Sequence, residues 1–138
     1  MSDIRHQRDK TPDSEKITIN LGYVDLGRID LLVKEGFYSN RSDLIRTAIR
    51  NQLDSHVEAV RNSIERHTME LGLRTYTRAD LEALRDAGEM LHVRVVGLAR
   101  IDSDVTPELA RETIGSIAVL GALQASPDIR KALADRIN

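Results

Sequence analysis

The sequence predicts an α+β fold in two parts, and three observations carry this prediction. Residues 16–21, KITINL, alternate polar and apolar side chains as a β-strand does. Two helical patterns follow this segment, and no second strand lies near it in sequence. Further along, two similar segments each combine an apolar run around a glycine with a helix-start signal. We therefore expect one strand and two helices, followed by a small C-terminal module of one helix and two strand-helix repeats.

The composition is that of a soluble globular protein, because 41% of the 138 residues are hydrophobic and 30% are charged. The chain has no cysteine, which excludes disulfides, thiolate metal sites and a cysteine nucleophile. Its longest apolar run, residues 117–123, is far too short to span a bilayer, and the charged N-terminus has no apolar signal-peptide core. These features predict a cytoplasmic protein with no membrane partner.

The first strand has one apolar and one polar face, and it lacks a partner within the chain. A lone strand leaves its backbone donors and acceptors unpaired, so this strand should pair with a second copy of itself. We expect a homodimer through the N-terminal strand, and a flexible N-terminal arm over residues 1–14. The apolar face consists of Ile17, Ile19 and Leu21, and the polar face consists of Lys16, Thr18 and Asn20.

The first helix is predicted from about Tyr23 to Glu35, with Gly36 as its stop. Gly27 lies inside it and costs up to about 1 kcal/mol relative to alanine. The sequence leaves open whether this glycine marks a close approach to a partner or is simply tolerated. The segment GYVD after the strand also leaves the first residue of the helix uncertain by one or two positions.

The second helix is predicted to begin at SNRSD, where Ser39 or Asn40 can cap it and Asp43 stands near its third position. Apolar residues recur every three or four positions as far as Ile64. Two alternatives stay open: one helix about 45 Å long, or a separate helix after a break near Val57.

The last third of the chain contains an internal repeat. Residues 93–101 align with residues 117–125, and each segment is followed by a Ser or Thr cap, a proline and an acid, in TPEL and SPDI. Two strand-helix units in succession pack as a right-handed parallel crossover, which leaves sheet edges to cover. We therefore expect residues 91–138 to join further copies into a tetramer or a larger assembly. Residues 58–90 are interpreted as a helical connector that contains a helix at about Thr77 to Ala87.

The segments KITINL and GFYSNRSDLIRTAIRNQL, in that order, resemble the ribbon-helix-helix (Arc/MetJ/CopG-like) superfamily of DNA-binding proteins over residues 16 to about 57. The resemblance implies a ribbon-helix-helix domain over residues 15–57, in which strands from two intertwined chains pair antiparallel. It also implies that this two-stranded ribbon enters the major groove of double-stranded DNA. The expected setting is a bacterial or archaeal nucleoid.

The resemblance also implies two sets of contacts to DNA. The polar strand residues Lys16, Thr18 and Asn20 would read bases, and their side chains suit guanine, the thymine methyl group and adenine respectively. The N-terminus of the second helix would hold phosphates, because its unpaired N–H groups and dipole favour an anion. Plain helix capping accounts for Asn40 and Ser42 equally well. The phosphate set consists of Ser39, Asn40, Arg41 and Ser42.

No catalytic residue, metal site or cofactor is predicted. The sequence has no phosphate-binding glycine loop, no metal-binding His-Glu-x-x-His helix and no nucleophile elbow, and His56, His67 and His92 stand isolated.

Residues 1–57 hold nine Lys or Arg and nine Asp or Glu, so a DNA site would have to be a local patch. The resemblance implies a sequence-specific transcriptional regulator, most simply a repressor. An antitoxin and a DNA-organising, filament-forming protein are the alternatives.

Overall fold

The computed structural model describes residues 14–138, and the chain divides into two compact units, Met1–Glu58 and Ala59–Asn138. The predicted arm at residues 1–14 lies, apart from Ser14, outside the described residues. Within residues 14–138, no helix is both long and apolar enough to cross a membrane.

The first unit contains two helices, α1 (Tyr23–Lys34) and α2 (Arg41–Asp54). Residues 14–22 form neither helix nor strand in the single chain. The strand predicted over residues 16–21 is therefore not present in the chain by itself. The physical reason is that a strand forms only where another strand pairs with its backbone, and this part of the chain offers none.

Both helix starts and the first helix stop agree with the sequence patterns. Helix α1 begins at Tyr23 after Gly22, which provides no side-chain cap. Gly36, with φ of +89°, follows the helix end in the left-handed conformation that glycine adopts most easily. Helix α2 ends at Asp54, and α3 (Val57–Arg66) begins after a short turn. The separate helix, rather than the long one, is thus the correct alternative.

The second unit is built on a parallel sheet of three strands in the order β1-β2-β3. The predicted pairing of the two repeats is confirmed, because Gly97 of β2 lies opposite Gly121 of β3. Strand β1 was not predicted, and it lies within residues 58–90, the region interpreted as a helical connector. Gly72 of β1 lies opposite Gly97, so three glycines form one row across the sheet. After α3 the elements are β1 (Glu70–Tyr76), α4 (Arg78–Asp86), β2 (Leu91–Ile101), α5 (Pro107–Thr113), β3 (Ile114–Gln124), α6 (Pro127–Ala132) and a 3-10 turn (Ala134–Arg136).

Each strand of the sheet leads into a helix with the same type of cap. Thr77, Thr106 and Ser126 accept a hydrogen bond from the backbone N–H three residues further on. At Thr77 the bond is reciprocated, because the Asp80 carboxylate accepts from the Thr77 N–H and completes a capping box. The module therefore contains three strand-helix repeats, where the sequence revealed two.

The hydrophobic core lies on one face of this sheet. Alternate residues of β2 and β3 point toward α4, α5 and α6, and their side chains are almost completely buried. At the outer edge of β3 the C-terminal residues form a cap, since the Asn138 N–H donates to the Ile117 carbonyl at 2.8 Å. The core members that are less than 2% exposed are Leu81, Val93, Val95, Ala99, Ala110, Ile114, Ile117 and Leu133.

Candidate nucleic-acid interface

Within residues 14–58, the first unit buries no residue and so has no hydrophobic core there. No residue of α1 or α2 is buried, although both helices carry apolar side chains at helical spacing. Tyr23, Phe37 and Leu53 are 92%, 70% and 59% exposed. A domain that buries so little apolar surface cannot offset the conformational entropy that folding removes. The apolar side chains of α1 and α2 therefore need further contacts to become buried.

Residues 16–21 expose both of their faces. Ile17 and Ile19 are 73% and 59% exposed, and the polar side chains of Lys16, Thr18 and Asn20 are exposed as well. The apolar side alternates with the polar side, so a partner that covers one face leaves the other free. The three predicted base-reading residues are thus available on one short segment of chain.

The N-terminus of α2 is held by a network of short polar contacts. The Asn40 side-chain oxygen accepts from the Asp43 N–H at 2.8 Å, as expected for a cap. The Asp43 carboxylate in turn accepts from the Ser39 N–H at 2.9 Å and from the Ser39 hydroxyl at 3.3 Å. Asn40 and Ser39 therefore have a structural role whether or not DNA is bound.

Two backbone donors remain at this helix end. The N–H groups of Arg41 and Ser42, the first two helical residues, have no acceptor within residues 14–138. They point out of the helix start, together with the positive end of the helix dipole. An anion such as a phosphate oxygen is their natural acceptor, although the Asp43 carboxylate in the same turn already supplies one negative charge.

Arg41 is paired with Asp30 of α1. Its Nε donates to Asp30 Oδ1 and its Nη2 donates to Asp30 Oδ2, both at 2.8 Å. The hydrogen bonds and the opposite charge lower the pKa of the Asp30 carboxyl and raise that of the Arg41 guanidinium. Both side chains stay about half exposed. Because a guanidinium has five N–H groups and this pair uses two of them, Arg41 retains donors for a phosphate.

Asp30 was not recognised from the sequence. Its partner is 11 residues away, across the turn between two helices, and no local spacing rule connects such positions. The structure brings together Ser39, Asn40, Arg41 and Ser42 in one turn of chain. Within the described residues, no hydrogen bond or ion pair joins this turn to Lys16, Thr18 or Asn20.

The histidines show no metal-binding arrangement. Within residues 14–138, no group of three His, Cys, Asp or Glu side chains stands close enough to hold a metal ion. The His92 Nδ1 lies 2.8 Å from the Ser116 hydroxyl, and the His56 Nε2 lies 3.2 Å from the Gln52 amide nitrogen.

Comparison with known proteins places the chain in one family. The model of the ribbon-helix-helix transcriptional regulator family matches residues 12–130, so the match covers most of the chain and includes both units. Regulators of this family bind DNA and act as dimers, and the family is in general not enzymatic. No curated protein and no solved structure matches the chain significantly. The chain belongs to the ribbon-helix-helix transcriptional regulator family.

Proposed function

We propose that the protein is a transcriptional repressor that reads the major groove of double-stranded DNA with a two-stranded ribbon. The observation that carries this proposal is the segment 16–21, which exposes an apolar and a polar face within a unit that has no core. Two copies that pair along this segment bury the apolar face and the apolar stripes of α1 and α2 together. The polar face then forms the outer surface of the ribbon, as groove reading requires.

The proposed base-reading residues are Lys16, Thr18 and Asn20. Lysine donates to the acceptors of guanine, asparagine bonds adenine in two places, and threonine offers a hydroxyl and a methyl group. Phosphate anchoring is assigned to the N-terminus of α2, where the Arg41 and Ser42 N–H groups are available. Ser39 and Asn40 support this site by fixing the helix start.

The second unit is proposed to link dimers, or the two chains of a dimer, so that several ribbons act together. Tethered binding sites raise overall affinity through effective concentration without new base contacts. This matters here because the formal net charge of the chain is −2 and gives no general attraction to DNA. Operation in the cytoplasm of a bacterium or archaeon is part of the same proposal.

The test is DNA binding by the full-length protein and by a variant that carries Lys16→Ala, Thr18→Ala and Asn20→Ala. Each base contact is worth about 1–3 kcal/mol, so the wild type should prefer the DNA upstream of its own gene over a scrambled duplex. The variant should lose this preference at least roughly tenfold. Lys131→Ala, an exposed lysine on α6, is the matched control for the lost charge and should retain the preference.

Two further measurements complete the test. Light scattering should give the same mass for wild type and variant, which shows that the ribbon still forms. Transcription from the bound promoter in vitro should fall when the protein is added. Equal binding of both duplexes by the wild type would refute groove reading, and a rise in transcription would refute repression.

A further inference from the structure

The sheet of the second unit has a second face, opposite the face that carries the buried core. The pairing register places Leu71, Val96 and Leu120 in one row across the three strands on this side. All three helices that follow the strands pack on the opposite face, where the core lies. A second row beside the first consists of Leu73, Leu98 and Ala122. We call these six residues the open face.

The open face is apolar, and its three leucines on the outer strands are exposed, whereas Val96 and Ala122 are partly buried and Leu98 is only 9% exposed. Leu71, Leu73 and Leu120 are 69%, 51% and 64% exposed, and a contiguous apolar patch on a protein surface is often an interaction site. Exposed leucines scattered over a surface would need no explanation, but these three share two adjacent rows of one sheet.

The charged side chains at the two ends of the open face already have partners within the chain. Arg94 donates to the His67 carbonyl at 2.8 Å and 3.1 Å, and Arg100 donates to the Gln124 side-chain oxygen at 2.9 Å. These contacts hold the two arginines at the margin of the patch. The centre is therefore free of charge and suited to a dry contact.

The size of the patch indicates what kind of partner it fits. Strands lie about 4.8 Å apart and alternate residues about 7 Å apart, so six side chains cover on the order of 200 Å². Two independent proteins that associate stably bury roughly 800 Å² each. The open face is too small to capture a free protein, but it is sufficient for two modules that another contact already holds together.

A second copy of this chain is a partner that another contact already holds close. Members of the family act as dimers, so each chain carries a second open face into the same assembly. A short linker raises the effective concentration of tethered modules to about the millimolar range. A flat apolar patch can also meet its own copy across a two-fold axis.

We propose that the open face packs against the open face of a second copy, with the two sheets stacked about 10 Å apart. This inference rests on the proposed dimer and adds to it the surface through which the second units join. The contact is made by the leucines of β1 and β3 around Val96 and Leu98 of the central strand.

Disulfide trapping tests the contact in the full-length protein, which has no cysteine of its own. The variant carries Leu71→Cys and Leu120→Cys. These positions are two strands apart, about 10 Å, so they cannot bridge within one chain, where a disulfide needs Cα atoms within about 7 Å. A two-fold axis along the strands brings position 71 opposite position 120 of the other copy, and an axis across them brings each position opposite itself. In either arrangement the pleat places the facing Cα atoms closer together than the mean spacing of the sheets. Motion of one module against the other then brings them within about 7 Å, whereas the hydrogen-bonded strands fix the longer distance within one chain.

The matched control carries Met90→Cys and Ser103→Cys. Both positions are exposed, they lie before and after β2, and neither is on the open face. Under mild oxidation, the open-face variant should form a two-chain band on a denaturing gel at least roughly tenfold faster than the control. Equal rates of cross-linking for the two variants would overturn the proposal that the open faces pack against each other.

A second variant, Leu71→Glu with Leu120→Glu, separates this inference from the proposed function. It should retain the ribbon dimer and the binding of DNA by a single dimer. If the open faces join different dimers, the variant should lose the assemblies heavier than a dimer. If they join the two chains of one dimer, its second unit should become more susceptible to proteolysis. A monomeric wild type would contradict the dimer and the open-face contact together. A dimeric wild type that binds DNA, together with an open-face cysteine variant that cross-links no faster than its control, would contradict the open-face contact alone.

Discussion

Arg41, the first residue of α2, donates two parallel hydrogen bonds to Asp30 of α1, both 2.8 Å long. This bidentate pair is the best geometry that an arginine and a carboxylate can adopt. It connects the two helices of the first unit beside the turn where phosphate binding is proposed. The contact with Asp30 and the proposed contact with a DNA phosphate can therefore be tested separately for Arg41.

Arg41→Ala should weaken binding to specific and to scrambled DNA by the same factor. A phosphate contact carries no sequence information, and its loss should lower the slope of log affinity against log salt by about one per chain. Titrations of both duplexes at several salt concentrations measure this. Asp30→Asn is the control, because it removes the partner of Arg41 and leaves the guanidinium. If Asp30→Asn weakens DNA binding as much as Arg41→Ala does, Arg41 acts by positioning α2 instead.

The Asp30–Arg41 pair should contribute to stability only while Asp30 is ionised. Its folded-state pKa is lowered, chiefly by the hydrogen bond from Arg41. The pair therefore stabilises the folded state fully at a pH above the ordinary pKa of an aspartate. This stabilisation is lost as the pH falls from that value through the lowered folded-state pKa of Asp30. Wild type should melt at a higher temperature than Asp30→Asn at neutral pH, and the difference should vanish in acid. A difference that persists at the acid end would show that the ion pair is not its source.

The row of glycines across the sheet predicts two substitutions of unequal cost. Gly97 has φ of +136°, and a methyl group there would meet the carbonyl of Gly72. Gly72 has φ of +130°, but a methyl group there would meet nothing within 4 Å. Gly72→Ala should cost about 1–3 kcal/mol for the strained backbone alone, and Gly97→Ala should cost more because the clash adds to the strain. Hydrogen exchange at the β2 amides reports both effects. Equal costs would mean that the sheet opens to accept the methyl group.

Gly27→Ala should stabilise α1 by up to about 1 kcal/mol. This residue lies inside the helix with nothing within 4 Å of the position that a methyl group would occupy. Thermal melting monitored by helical circular dichroism measures the gain. If the variant instead loses its dimer by light scattering, Gly27 lies where the backbone of the second copy approaches closely.

The helices were predictable because the signals that start and stop them act within a few residues. Asn40, Thr77, Thr106 and Ser126 each accept from the N–H three positions on, and this spacing is visible in the sequence. The parallel pairing of β2 with β3 was predictable for a different reason. Both strands are buried on one face and repeat the same apolar pattern around a glycine.

Strand β1 was not predicted, because it is an edge strand whose residues, other than Tyr76, are exposed. Exposed positions accept glutamate, arginine and threonine as readily as leucine, so no apolar alternation remains to identify them. One signal was present. Leu71-Gly72-Leu73 repeats the pattern of Val96-Gly97-Leu98, and the helix cap of TRAD follows it.

By itself, the sequence determined the family resemblance, the capped helix starts and the polar face of residues 16–20, because each depends on neighbouring residues. Only the tertiary structure decided the three-stranded sheet, the Asp30–Arg41 pair and the open face around Val96. These features join residues far apart in the chain. Their existence depends on where folding places each segment, and no spacing rule along the sequence records that.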